Sequence, residues 1–178
     1  MAPVLDATLG GATSNSYVDL AYADAYAANT QWEDEWLAFS ADDRTAALIT
    51  ATTWLETLRW SGKKCTPQTQ RLAWPRTDIT CDGLTAACTF IPREVETAEV
   101  ELAFQFAKNP NFMTGSTGNT AAGQVKRQKL DVLEVEYFED ESGFINSAGS
   151  LIDQVPWLAN WLGCWYSNSQ RQIRLYRN

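Results

Sequence analysis

A mainly α fold, a small helical bundle with a long irregular loop and an appended β-hairpin, is what this sequence of 178 residues predicts. Three observations carry that reading. Apolar residues recur at helical spacing over 40–59 and again over 91–109, all periodicity is lost from Trp60 to Phe90, and residues 132–138 alternate.

The helix over 91–109, IPREVETAEVELAFQFAKN, is the element around which the others are expected to pack. Pro92 stands where a first-turn proline is tolerated, because the N–H it lacks would be unpaired there anyway. Val95, Ala98, Leu102, Ala103 and Phe106 fall on one side, and Val100, Phe104 and Ala107 widen the arc well past a normal stripe. Only Glu94, Thr97, Glu101, Gln105 and Lys108 form a sector suited to water. Glu96 and Glu99 intrude on the apolar arc near its N-terminal end, where they suit the helix dipole. Both are read as facing something basic, such as a neighbouring subunit.

Ahead of it, residues 1–15 are small and mostly uncharged and are read as a flexible arm, with a helical domain over 16–163 and a basic tail over 164–178. Asp19 is positioned to cap a helix carrying Leu20, Ala23 and Ala27 on one side, with Tyr22 and Tyr26 on an adjacent face. Trp32, Trp36 and Phe39 surround an acidic trio, and their spacing marks them as core or interface anchors. Ser40, followed by Asp42 and Asp43, starts a second strong helix that runs to about Arg59. Its apolar face is Ala47, Leu48, Ala51, Trp54, Leu55 and Leu58.

From Trp60 to Phe90 the chain reads as an irregular connection, and loops of that length tend to be functional or intermolecular. RLAWPR in its middle places Trp74 on backbone stiffened by the following proline, with Arg71 and Arg76 beside it. After the 91–109 helix, a stretch rich in Gly, Asn, Thr and Ser leads into a hairpin near 125–138. Its basic arm (Lys126, Arg127, Lys129) faces an acidic one (Glu134, Glu136, Glu139). An acidic loop holds Glu139, Asp140 and Glu141. A short helix then restarts at Pro156, with Trp157, Leu158, Trp161 and Trp165 as its bulk, and the tail ends in Arg171, Arg174 and Arg177.

The formal net charge of −8 and pI near 4.5 weigh against a protein whose whole surface grips a phosphate backbone. No run is long and apolar enough to span a membrane, and the N-terminus lacks a signal-peptide pattern, so the expected compartment is the cytoplasm or a particle assembled there. Cys65, Cys81, Cys88 and Cys164 form no C-x-x-C pair and the chain has no histidine, which removes the usual zinc partners. They are read as free thiols or small core residues, with a single disulfide in the 65–88 loop as the alternative. Without histidine there is no His-based triad or His general acid–base catalysis. GKK at 62–64 lacks the rest of a P-loop. No enzymatic role, cofactor or metal is expected.

Two stretches interleave basic and aromatic residues as a single-strand binder would: Arg59 to Arg76, including Trp60 and Trp74, and the tail with Tyr176. The bland readings are buried indoles and a solvated terminus.

SYVDLAYADAYAA, AALITATTWLETLRWSG, QRLAWPR, IPREVETAEVELA and KRQKLDVLEVEYFED, in that order over Ser16 to Asp140, resemble the small tailed-bacteriophage proteins labelled DnaT-like single-stranded-DNA-binding proteins. Members of that group are also described as head-to-tail connector, or adaptor, proteins. The resemblance implies a mostly helical subunit forming a ring of twelve copies in the virion neck. The ring would join the portal protein to the next tail or neck protein and let duplex DNA pass without tight binding. On that basis Arg171, Ile173, Arg174, Leu175, Tyr176 and Arg177 are portal-contact candidates. Arg71, Trp74, Arg76, Glu96 and Glu99 are subunit-interface candidates, and Glu139, Asp140 and Glu141 face the channel or tail. The label itself implies the alternative, a replication accessory that binds single-stranded DNA.

Overall fold

The computed structural model describes residues 3–113, 128–130, 133–135 and 151–167. Its helices are α1 (Leu20–Ala27), α2 (Glu33–Ala38), α3 (Ala41–Leu55), α4 (Arg93–Lys108), α5 (Leu151–Gln154) and α6 (Trp157–Leu162), the last running into a 3-10 turn at Gly163–Trp165. The strands form three antiparallel pairs: β1 (Lys63–Lys64) with β2 (Arg76–Thr77), β3 (Thr80–Cys81) with β4 (Leu84–Thr85), and β5 (Gln128–Leu130) with β6 (Leu133–Val135). The mainly α class is as the sequence predicts.

Helices α1 and α3 start where their caps predict. Asp19 accepts from the backbone N–H of Tyr22 at 2.7 Å, and Ser40 accepts from that of Asp43 at 3.1 Å. Pro92 stands at the cap position of α4, one residue before the helix proper. Helix α3 ends at Leu55, short of Arg59, and the chain turns away through bonds from Thr57 N to Trp54 O and from Leu58 N to Leu55 O.

Packing of α3 along α4 makes the core: Ala47, Leu48, Ala51 and Leu55 meet Val95, Ala98, Leu102, Ala103 and Phe106. Burial of Val100 and Phe104 confirms that α4 is covered on more than one side. Thr97, expected toward water, is buried too, because α1 lies over that sector. Trp36 is fully buried and donates its indole N–H to Asp24, while Trp32 stacks on Phe104 at 4.2 Å. α2, which begins just after Trp32 and carries Trp36, was not legible as a helix; its first turn is the acidic trio Glu33, Asp34 and Glu35.

The N-terminal segment expected as a flexible arm is tied to the body. Asp6 accepts from Thr8 N and Thr13 Oγ1, which hold its carboxyl down at about 2. Arg71 N donates to Gly11 O, and Arg71 Nη1 to Thr13 O. The hairpin expected near 125–138 is present in backbone pairing, with Lys129 opposite Glu134. As expected, the helical stretch near Pro156 is broken there, into α5 and α6.

Candidate functional site

The stretch from Trp60 to Phe90 was read as an irregular connection of a length that tends to be functional or intermolecular, and its geometry is that of a stapled scaffold. Gly62, at φ 69°, lets the chain turn against Ile79 and the Thr77 carbonyl, where a Cβ would collide. β1 and β2 close the base of the loop. Asp82 and Gly83, both at positive φ, form the tight turn of the β3–β4 hairpin, the Asp-Gly signal in CDGL that reading the stretch as irregular overlooked.

All four cysteines are paired, Cys65 with Cys88 and Cys81 with Cys164, at Cα separations of 5.6 and 5.7 Å. This corrects the expectation of free thiols, while Cys81 is a buried core residue as well as bonded, and it exceeds the alternative of one bond within 65–88. A loop with few helical contacts of its own is held by covalent links, one of them reaching 83 residues along the chain to the turn after α6.

Trp60, Trp74 and Trp165 stack edge to face in series, with centroids 5.6 and 5.7 Å apart. Trp74, in a cis bond to Pro75, is 1% exposed and Trp60 9%. Trp74 is therefore a core residue rather than a subunit contact, and neither indole offers a face to a base. The C-terminal end of the described chain is sewn to the same place: Tyr166 pairs with Trp60, Ser61 N donates to Trp165 O, and Ser167 N to Arg59 O.

The cations are largely engaged. Arg76 donates to the carbonyls of Ser61, Ala73, Trp60 and Gly62, and burial draws its pKa down. Lys63 pairs with Asp78 at 3.1 Å and Lys64 donates to Arg71 O. Arg71 remains exposed beyond its bonds to the N-terminal segment. Opposite them the Glu56 carboxylate accepts from Ala73 N and from the buried Tyr17 hydroxyl, whose own pKa is raised by burial and then by Glu56.

Glu99, expected at a subunit-facing surface, is fully buried. It accepts from Ser16 Oγ at 2.5 Å, Thr52 Oγ1 at 2.8 Å and Tyr17 N at 3.0 Å, so its partners are the N-terminal segment and α3 of its own chain. Burial pushes its pKa up to about 8 against the pull of those bonds. The two hydroxyls also lie 2.7 and 3.0 Å from the carbonyls of Val18 and Leu48. Each hydroxyl has one proton, so a protonated Glu99 that donates to one of them frees that hydroxyl's proton for its carbonyl while the other still donates to the carboxyl. Glu96 is half-buried beside Tyr22, its pKa raised by burial.

The portal-contact candidates Arg171 to Arg177 and the channel candidates Glu139, Asp140 and Glu141 lie outside the described residues. Among the described residues no group of three or more His, Cys, Asp or Glu could hold a metal ion, and no helix is long and apolar enough to cross a membrane.

These features define a small helical protein whose basic loop is locked into its core. The family model described as "Putative DnaT-like ssDNA binding protein" matches residues 1–178, and the chain belongs to that family. No curated protein and no solved structure matches it.

Proposed function

We propose that the chain is a structural, non-enzymatic subunit of a ring in the neck of a tailed-bacteriophage particle, between the portal protein and the next tail or neck protein. Twelve copies would surround a channel through which duplex DNA passes without being held. The subunit is made in the host cytoplasm and ends in the virion. The observation that carries this reading is the fate of the basic, aromatic loop. With Trp60 and Trp74 buried and Arg76 bonded to four carbonyls, the loop has no base-stacking platform. What is left is a stapled body in a chain of net charge −8, which repels phosphate and suits a conduit better than a clamp. The resemblance of the ordered motifs over Ser16 to Asp140 to a group whose members are also described as connectors supports the same reading.

A proteomic inventory of purified particles against infected-cell lysate tests it. The expected result is this chain in particles at a fixed ratio to the portal protein. Abundance in lysate with absence from particles overturns the reading.

The family's description favours a second reading, a single-stranded-DNA-binding replication accessory. It predicts oligonucleotide affinity that falls steeply with salt and with Arg71→Ala, the exposed cation of the loop. Absence of binding at moderate salt removes it.

A further inference from the structure

The β3–β4 hairpin and the end of α6 leave between them a cleft of about 200 Å³, lined by Asp82, Leu84, Glu94, Trp161, Gly163 and Trp165 among others. Leu84 is 46% and Trp161 39% exposed, so two of the large apolar side chains most open to water share one cleft. Single exposed apolar residues are ordinary, whereas neighbouring ones form a patch that selects a partner. Asp82 and Glu94 are exposed beside them, and neither is in an ion pair with a described residue. Two unpaired carboxylates next to an open indole are the chemistry that receives guanidinium groups, by charge-assisted hydrogen bonds and by the ring face.

We propose that this cleft receives residues 171–177, Arg-Gln-Ile-Arg-Leu-Tyr-Arg, of a neighbouring copy of the same chain. The segment matches the cleft in kind. In an extended conformation Arg171, Ile173, Leu175 and Arg177 share one face, two cations flanking two aliphatics. The direction in which the described chain leaves the cleft favours a neighbour over the chain's own tail. Trp165 lies beside Ser61, and Ser167 beside Arg59. The chain thus moves toward the end of α3 and away from Gly62, which abuts Ile79 just before the hairpin. Such a contact is heterologous, tail of one copy on cleft of the next, and repeats into a closed ring or an open filament. It takes the C-terminal arginines from the portal and gives them to the adjacent subunit. It holds for either functional reading, since particle content tests the neck assignment and self-association tests this contact.

The experiment uses the full chain with Trp161→p-benzoylphenylalanine. ¹⁵N-labelled and unlabelled protein are mixed dilute, concentrated and irradiated, and the cross-linked peptides are read by mass. The expected products join position 161 of one isotope to residues 168–178 of the other. Products of one isotope only, or products that avoid that segment, overturn the inference. In parallel, Asp82→Lys with Glu94→Lys should weaken self-association on the order of 100-fold by sedimentation, two attractions having become repulsions. Adding Arg171→Glu, Arg174→Glu and Arg177→Glu should restore it. A charge swap that stays folded by circular dichroism and fails to restore association refutes the contact.

Discussion

Replacing Glu99 with glutamine should flatten one component of the pH dependence of stability. Its carboxyl titrates at about 8 in the folded chain, against an ordinary glutamate value of 4.5. Between those values the folded state holds a proton that the unfolded state has released, so stability is fully present below the lower value and falls as pH rises through the upper one. One pKa unit corresponds to about 1.4 kcal/mol, so from about pH 5 to about pH 7.5 the loss is about 3 kcal/mol. Glutamine carries no such proton, and its amide fits the same cage. The nitrogen donates to Ser16 Oγ and Thr52 Oγ1, whose own protons go to Val18 O and Leu48 O, and the oxygen accepts from Tyr17 N. Urea denaturation followed by tryptophan fluorescence, for both proteins across that range, isolates the difference from every other titrating group. The variant should gain about 3 kcal/mol on the wild type between the two ends of the range. Parallel stability curves would show that Glu99 does not hold its proton, and the reasoning would fail.

Trp74→Ala removes the middle of the three-indole stack and should cost about 3–5 kcal/mol in the same denaturation assay, with no compensating exposure of a binding face. Cys81→Ala with Cys164→Ala opens a link between residues 83 apart, and loop closure of that length predicts a loss of about 4.5 kcal/mol, read as a lower denaturation midpoint under oxidising conditions. Ser40→Ala should cost about 1 kcal/mol by leaving the Asp43 N–H without its cap, and Ser40→Asp should recover most of it.

What was legible in the sequence is what local physics decides. Asp19 and Ser40 announce their helices by type and position, and the wide apolar arc of α4 announces that it is covered on several sides. The burial of Glu99 was not legible, because an acid in the first half of a helix ordinarily serves the dipole from outside. Its hydroxyl partner Ser16 stands 83 residues away. A signal was nevertheless present, since Glu99 lies between Val95 and Leu102 on the arc that was read as core. For the loop the sequence left two readings open, a base-stacking surface and buried indoles, and the structure decides for burial. Trp60, Trp74 and Arg76 look like a binding surface when only their neighbours in sequence are counted. The indoles' real neighbours, Trp165 and Tyr166, arrive about 100 residues later, and Arg76 is spent on the carbonyls of the loop itself. The Asp82-Gly83 turn was a further local cue passed over.

That long reach has a kinetic consequence. α3 and α4 are each short-range structures, but the contacts that seal them come from far along the chain: Ser16 with Glu99, Trp60 with Tyr166, Ser61 with Cys164 at a separation of 103 residues. Non-local closure of this kind has its entropy cost before its contacts form, so folding belongs to the slow end of the range, in milliseconds to seconds. The helix pair should collapse first with one indole face of Trp74 still uncovered. Trp165 then arrives late, as the residue whose docking marks the native state.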